Sequence, residues 1–287
     1  MATTTGSLIA FLDATDEVAL VEVAQAKGST PREAGAAMLV SPTAIHGTIG
    51  GGQLEFMAID QARQMLTPAV SPSKAREIRA TLDVPLGPEI GQCCGGRVEI
   101  AIRLVDKALK SELIQTSEAQ DARLPHIYVF GGGHVGHALA GALSLLPVKA
   151  TIVETRAEAL DGMPAGVETH LTSVPEEMVR LASAGAAFVV LTHDHALDFL
   201  IVAEALRRKD AAYVGMIGSK TKKATFRSWY LKSAGGNDAD FERLVSPIGG
   251  DAVKDKRPAV IAALAAAEIM TALAASATTS KAEAAAG

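Results

Sequence analysis

Apolar residues follow two different patterns along the chain, and the pattern changes near residue 126. Before that point, β-rich runs at 18–24 and 37–40 and a strict alternation at 98–104 predict β-strands. Apolar residues spaced three and four apart over 54–66 predict a helix. The first part of the chain is therefore predicted to form an α+β domain.

After residue 126, predicted strands and helices alternate regularly. Short apolar runs predict strands at 126–130, 149–154, 187–192 and 212–217, with helices between or after them at 138–146, 197–208 and 222–231. This alternation indicates a parallel sheet with right-handed crossovers. The predicted fold class is α/β, with an N-terminal α+β domain followed by a Rossmann-like, doubly wound parallel-sheet domain.

The segment between the two patterns is polar, charged and weakly periodic, as is typical of a linker. The predicted organisation is an N-terminal domain over 1–106, a linker over 107–125, a Rossmann-like domain over 126–275 and a disordered tail over 276–287. The stretch 258–276 is mostly alanine and carries Glu268, which favours an amphipathic helix over a membrane span.

Composition narrows the class of protein. The 287 residues suffice for two domains, and 48% of them belong to the AVILMFWYC set, which excludes bulk disorder. A net charge of −5 argues against general nucleic-acid binding, which needs a basic surface. The first residues lack the basic start of a secretory signal, so we expect a cytoplasmic protein. The two cysteines are adjacent, which excludes a disulfide framework and fits a reducing compartment.

The strongest motif is Gly131-x-Gly133-x-x-Gly136, which stands between a predicted strand and a predicted helix. In dinucleotide-binding domains the three glycines provide a tight turn, close approach of the backbone to a pyrophosphate and close helix packing. Glu154 ends the next strand, where an acid accepts hydrogen bonds from a ribose. His134 lies inside the glycine loop and is expected to face the phosphates.

Polar residues also follow the strand at 187–192. His193, Asp194 and His195 stand where ligands gather in open α/β sheets, at the carboxyl end of a strand. Three interpretations stay open from the residues alone: polar contacts to a ligand, a metal site that also uses Asp198, or a helix N-cap with incidental histidines.

Two further glycine-containing turns are candidate anion sites. Ser219 and Lys220 follow a strand and a glycine, and lysines at a helix start favour an anionic partner. Gly50, Gly51 and Gly52 precede a helix, and three consecutive glycines indicate close approach of the backbone to another group. Glu55 lies on the first turn of that helix, where its charge also suits the helix dipole.

The segment that contains both cysteines is rich in glycine. Gly91 precedes Gln92, Cys93 and Cys94, and Gly95 and Gly96 follow them. These glycines predict an accessible loop rather than an apolar element. Thiols in such a loop are suited to metal or sulfur chemistry.

Taken together, these motifs resemble the XdhC family of xanthine dehydrogenase accessory proteins, related to the CoxI and CoxF maturation factors. The resemblance covers about residues 12–273. The segments that carry it are GSTPR at 28–32, GTIGGGQLE at 47–55, GQCCGG at 91–96, GGGHVG at 131–136, THDH at 192–195 and GMIGSK at 215–220.

The resemblance implies an accessory factor rather than an enzyme. Such a protein binds the molybdopterin molybdenum cofactor, in a mononucleotide-like or a cytosine dinucleotide form, keeps it available to a cysteine desulfurase, and delivers it to an apo-hydroxylase of the xanthine dehydrogenase type. The protein is also expected to form a homodimer and to bind neither nucleic acid nor membranes. The alternative, based on the Rossmann motif alone, is an NAD(P)-dependent oxidoreductase.

The resemblance also assigns roles to the candidate residues. Cys93 or Cys94 is expected to approach the molybdenum or to assist sulfur transfer. The residues expected to contact the cofactor are Gly50, Gly51, Gly52, Glu55, Gln92, Cys93, Cys94, Gly131, Gly133, His134, Gly136, Glu154, His193, Asp194, His195, Ser219 and Lys220. No catalytic residue is expected.

Overall fold

The structure is a computed structural model that describes residues 4–67, 78–87 and 95–286, with side chains described up to residue 278. The chain divides into two compact units, residues 3–122 and residues 123–287. Each unit has its own hydrophobic core. The two units are described in turn.

The N-terminal unit is built on a five-stranded antiparallel sheet with strand order β3-β2-β1-β5-β4. Its strands are β1 (Ala19–Lys27), β2 (Ala37–Val40), β3 (Ile45–Gly47), β4 (Arg79–Pro85) and β5 (Arg97–Leu104). Its helices are α1 (Thr5–Asp13), α2 (Gly52–Leu66) and α3 (Lys107–Asp121).

Helices cover both faces of this sheet. Apolar side chains of α2, such as Leu54, pack on one face with Val21 and Ile100. Leu20 of β1 points to the opposite face and packs with Leu109 of α3 in a second, smaller cluster. The period-two alternation of the strands is what supplies side chains to both clusters.

The prediction of a linker over 107–125 is wrong, because residues 107–121 form helix α3 of the N-terminal unit. Asp106 caps this helix by accepting a hydrogen bond from Leu109 N at 2.8 Å. Leu109 and Leu113, four residues apart, pack in the small cluster of the N-terminal unit. One narrow apolar stripe on a polar segment suffices for a helix that lies on a sheet, and such a stripe is easily overlooked.

The second unit contains a six-stranded parallel sheet with strand order β11-β10-β9-β6-β7-β8. Its strands are β6 (His126–Phe130), β7 (Lys149–Glu154), β8 (Glu168–Leu171), β9 (Ala187–Val190), β10 (Tyr213–Met216) and β11 (Leu244–Val245). Its helices are α4 (His134–Leu143), α5 (Glu176–Leu181), α6 (His195–Arg207), α7 (Lys220–Ser233), α8 (Asp238–Glu242) and α9 (Pro258–Ala286).

This strand order is that of a doubly wound Rossmann fold. The central strands β6, β9 and β10 are almost wholly buried, since apolar clusters lie on both of their faces. The predicted α/β class and the Rossmann-like sheet are thereby confirmed. The direction of the connections reverses between β6 and β9, so these two strands flank the switch point of the sheet.

Helix α9 extends through most of the predicted tail, up to Ala286, so the expectation of a disordered segment over 276–287 is wrong. Its long run of alanine, a strong helix former, accounts for the extension. Among the described residues, Pro258–Thr278 is long and apolar enough by length and composition to cross a membrane. One face of this helix, including Ile269 and Leu273, is buried in the core of the second unit, as expected of a core helix.

Candidate functional site

In the N-terminal unit, three glycine-containing motifs meet at one end of the sheet. A Cβ atom on Gly50 would lie 2.8 Å from Pro31, in the loop that follows β1. A Cβ atom on Gly96 would overlap the carbonyl oxygen of Ser29 in the same loop. The motifs at 28–32 and 47–55 and the end of the motif at 91–96 are therefore in contact, and glycine is what permits it.

Glu55 fills the loop formed by the three consecutive glycines. Its Oε2 atom accepts hydrogen bonds from Thr48 Oγ1 at 2.6 Å and from the backbone N–H groups of Ile49 and Gly51, both at 3.1 Å. The N–H of Gly50 donates to Thr48 Oγ1 at 3.1 Å. Two of the amide groups that the sequence predicted for an external anion, those of Gly50 and Gly51, thus already have an acceptor within the chain.

The predicted contacts of Gln92, Cys93 and Cys94 lie outside the described residues and stay predictions. The described residues on either side form the end of the β4–β5 hairpin. Leu86 N donates to Gly96 O at 2.8 Å, and Gly95 N donates to Leu86 O at 2.9 Å.

In the second unit, a cavity of about 270 Å³ lies at the carboxyl ends of β6, β7 and β9. This edge, next to the switch point, is where open α/β sheets bind ligands. The residues that line the cavity are Gly131, Gly133, His134, Val135, Glu154, Arg156, Leu191, Thr192, His193 and Ile217. The structure therefore brings together five of the predicted site residues: Gly131, Gly133, His134, Glu154 and His193.

The three glycines of the motif have different surroundings. A Cβ on Gly131, whose φ is +121°, would lie 2.5 Å from Leu191 O, and a Cβ on Gly136 would overlap the carbonyl oxygen of Gly131. For Gly133, no atom of a described residue other than its chain neighbours lies within 4 Å of an added Cβ. The first and third glycines are thus required by the fold, whereas the second borders open space in the cavity.

Glu154 is turned inward rather than toward a ligand. Its Oε2 accepts from Gly132 N at 2.8 Å, and its Oε1 accepts from Thr155 N at 2.8 Å. Arg156 donates to both oxygens, from Nε at 3.4 Å and from Nη2 at 3.3 Å. Burial by itself raises the pKa of Glu154, but the hydrogen bonds from Arg156, Gly132 and Thr155 outweigh it and lower the pKa to about 2. Glu154 is therefore an ionised, buried carboxylate that holds the glycine loop.

The segment after β9 is ordered by a buried ion pair. Asp198 is fully buried and accepts from Thr192 N at 2.9 Å and from Thr192 Oγ1 at 2.7 Å. Its other oxygen pairs with Lys222 of α7, whose side chain is also almost completely buried. This pair fixes Thr192 and with it the position of the exposed His193 at the cavity.

The next two residues of this motif, Asp194 and His195, form the start of helix α6. Asp194 caps α6 by accepting from Ala196 N at 2.8 Å, and His195 is the first residue of that helix. Within the described part of the chain, no group of three or more His, Cys, Asp or Glu side chains is placed to hold a metal ion. The metal interpretation of His193, Asp194 and His195 is therefore not supported, and for Asp194 the N-cap interpretation is confirmed.

Ser219 and Lys220 do not line the cavity. Ser219 caps α7 by accepting from Lys222 N at 3.3 Å, while Lys220 is 88% exposed and lies 3.7 Å from Asp251. At this helix start, Lys222 is the lysine that pairs with a buried carboxylate, Asp198. Its partner is a carboxylate of the same chain, which the sequence analysis did not anticipate.

Comparison with known proteins assigns both units. The model of the XdhC Rossmann domain matches residues 127–269, and the model of the XdhC and CoxI family matches residues 11–71. The chain belongs to the XdhC family.

One curated protein is similar to this XdhC-family chain in sequence, and one solved structure is similar to it in fold. The protein YqeB of Escherichia coli (strain K12), described as uncharacterized, is 24% identical over 238 residues. That match covers 80% of this chain and 39% of YqeB, so the chain spans less than half of that relative. A crystal structure described as a xanthine dehydrogenase from Bacillus halodurans has a TM-score of 0.76 and 16% identity, covering 95% of this chain and 96% of that one.

The sequence analysis missed Arg156, and it missed the ion pair between Asp198 and Lys222. Arg156 stands two residues after the expected acid, which is a usable local signal for a basic group at a ribose or phosphate position. Asp198 and Lys222 lie 24 residues apart on different helices, so only the fold reveals that they form a pair.

Proposed function

We propose that this XdhC-family protein binds the molybdenum cofactor in its Rossmann unit, in the cytoplasm. It would keep the cofactor available for sulfuration by a cysteine desulfurase and assist its insertion into an apo-hydroxylase of the xanthine dehydrogenase type. The observation that carries the binding step is the open space at Gly133, beside a glycine loop that is otherwise closely packed. A homodimer is part of the proposal but is not needed for it.

The residues of this unit fit a phosphorylated pterin. The cavity volume of about 270 Å³ holds part of such a ligand, and its polar groups include two histidines that can donate hydrogen bonds to phosphate. The first N–H groups of α4 follow Gly133 and favour negative charge. Gly133, His134 and His193 would hold the ligand, while Gly131 and Gly136 keep the loop in shape.

When bound, the cofactor supplies the molybdenum centre that the target hydroxylase needs. The chain's own contribution is to bind it, to orient it and to protect it before delivery. We propose that Cys93 or Cys94 contacts the molybdenum or assists sulfuration. Thiolates are soft ligands suited to both tasks.

The binding step is tested with Gly133→Ala, because the added methyl group enters the open space without meeting protein. Gly133 is the N-cap residue of α4, so the substitution is expected to cost at most about 1 kcal/mol of stability. We expect cofactor uptake to fall at least tenfold, measured as molybdenum and pterin content after anaerobic, reducing purification and reconstitution.

The matched control is Gly141→Ala on the same helix, where a Cβ makes only an ordinary contact of 3.9 Å with Pro164. This variant should bind cofactor like the parent protein. If the parent protein neither contains nor takes up molybdenum and pterin, the proposed function is wrong.

The proposed role of the thiols is tested with a Cys93→Ser, Cys94→Ser double variant. We expect it to activate apo-hydroxylase poorly, and we expect bound cofactor to slow alkylation of these thiols in the parent protein. A double variant that binds cofactor and activates its target normally would remove the cysteines from the mechanism.

A further inference from the structure

The ligand class of the Rossmann cavity can be read from its two charged side chains, Glu154 and Arg156. Among the residues that line the cavity, Glu154 is the sole carboxylate and Arg156 is the sole guanidinium. They form an ion pair in which the Glu154 side chain is 3% exposed and the Arg156 side chain is 39% exposed. The acid is thus withdrawn and the base faces the accessible part of the cavity.

Glu154 has no acceptor capacity left for a ligand. A carboxylate offers about four lone-pair sites. Donors of the protein already contact both oxygens: three N–H groups of the backbone, the Thr155 hydroxyl and two nitrogens of Arg156. A ribose hydroxyl would have to displace one of them, and displacing a backbone N–H would leave a buried donor without a partner, which costs about 1–3 kcal/mol.

Arg156 retains donors. Its Nε and Nη2 atoms contact Glu154, and none of its hydrogen bonds to described residues uses Nη1. A guanidinium presents its N–H groups in a planar fork that matches the oxygens of a phosphate. In dinucleotide-binding sites, an arginine near the acid accommodates a phosphate where the acid would otherwise bind a ribose hydroxyl.

We propose that the Rossmann cavity selects ligands that present a phosphomonoester beside the end of β7, and that Arg156 determines this preference. Ligands that present a free ribose diol there are disfavoured, because Glu154 cannot accept from them. The inference rests on the proposed function, since it names the ligand class of the same cavity. For a pterin ligand, it favours a form with a terminal phosphate at that position.

The test uses two probes that differ by one phosphomonoester, NADPH and NADH, titrated against the full-length protein by fluorescence anisotropy or calorimetry. We expect NADPH to bind at least tenfold more tightly than NADH. Arg156→Gln should reduce the affinity for NADPH about tenfold, to the level of NADH, and leave the affinity for NADH unchanged. Arg156→Lys keeps the charge without the planar fork, so its affinity for NADPH should lie between those of the parent protein and of Arg156→Gln.

Arg180→Gln is the matched control, because it removes another partly exposed guanidinium that is paired with a carboxylate, Glu204, in the same unit. It should leave both affinities unchanged. Equal affinity of the parent protein for the two probes, failure of both to bind, or an equal loss of both in Arg156→Gln overturns the inference.

Cofactor uptake, measured on the same preparations, separates this inference from the proposed function. Uptake of molybdenum cofactor with equal affinity for NADPH and NADH would overturn the inference alone. A preference for NADPH that depends on Arg156, without any cofactor uptake, would overturn the proposed function and leave the inference standing.

Discussion

At the scale of single residues, the acids of the two glycine motifs have the same role. Glu55 accepts from the amides of Ile49 and Gly51, and Glu154 accepts from the amide of Gly132. Each carboxylate accepts from amides of its own glycine-rich loop, while the open space at Gly133 and the start of α4 remain the place proposed for a ligand phosphate. The sequence places both acids correctly but does not reveal that their oxygens turn back to their own loops.

The low pKa of Glu154 has a consequence for stability at acidic pH. Because folding lowers the pKa from 4.5 to about 2, ionised Glu154 stabilises the fold above pH 4.5, and this contribution is lost as the pH falls toward 2. At neutral pH, Glu154→Gln should lower the free energy of unfolding by on the order of 3 kcal/mol. Denaturant unfolding from pH 7 to pH 3 should show the difference from the parent protein shrinking.

The exposed Glu177 on α5 provides the control, since Glu177→Gln is expected to change stability by less than about 0.5 kcal/mol at every pH. A difference between parent and Glu154→Gln that stays constant from pH 7 to pH 3 would contradict the role given to the charge.

At the scale of elements, some parts of the fold follow directly from local pattern and others do not. The strand–glycine–helix unit from β6 to α4 is predictable, because an apolar run, three spaced glycines and a helical run each have a local signature. Helices α1 and α3 were not predicted. The apolar residues of α1 form a continuous run at 8–12 without helical spacing, and those of α3 form only a narrow stripe. Both helices gain stability from packing on the sheet. The contact between Asp198 and Lys222 depends on how α6 and α7 pack, which no local pattern contains.

The pair formed by Asp198 and Lys222 should be strongly coupled energetically. Removing one partner leaves a buried charge without compensation, so Asp198→Asn and Lys222→Met should each cost about 3–5 kcal/mol. The double variant should cost less than the sum by at least about 1 kcal/mol in a double-mutant cycle of unfolding free energies.

An exposed ion pair in the same unit serves for comparison. Arg227 and Asp238 lie 2.6 Å apart with more than half of each side chain exposed, and Arg227→Met should cost less than about 1 kcal/mol. Additive effects of Asp198→Asn and Lys222→Met would show that the buried pair does not act as a unit.

At the scale of the whole molecule, two hydrophobic cores of different architecture occur in one chain. The N-terminal core lies on an antiparallel sheet, and the second core surrounds a parallel sheet with helices on both sides. The separate matches of two family models to the two parts agree with this division. The change of pattern near residue 126 predicts it from sequence, although the helix α3 belongs to the first unit rather than to a linker.

Because the second unit has its own core, residues 123–287 expressed alone are expected to fold. Circular dichroism should show mixed helix and strand content, and thermal unfolding should be a single cooperative transition. A control with Phe188→Ala in the same fragment, which empties part of the core, should lower the midpoint markedly. A fragment without a cooperative transition would mean that its core depends on the first unit.

The hydrogen bonds from loop amides to Glu55 and Glu154 also affect the entropy cost of binding a ligand. A glycine-rich segment has more backbone entropy to lose than other segments, and here that loss accompanies folding instead of binding. The second unit therefore offers a preorganised surface, so a ligand need not order the loop when it arrives. Under the proposed function, in which the protein captures a scarce cofactor and then releases it, such rigidity means that affinity is set by contacts rather than by refolding of the loop.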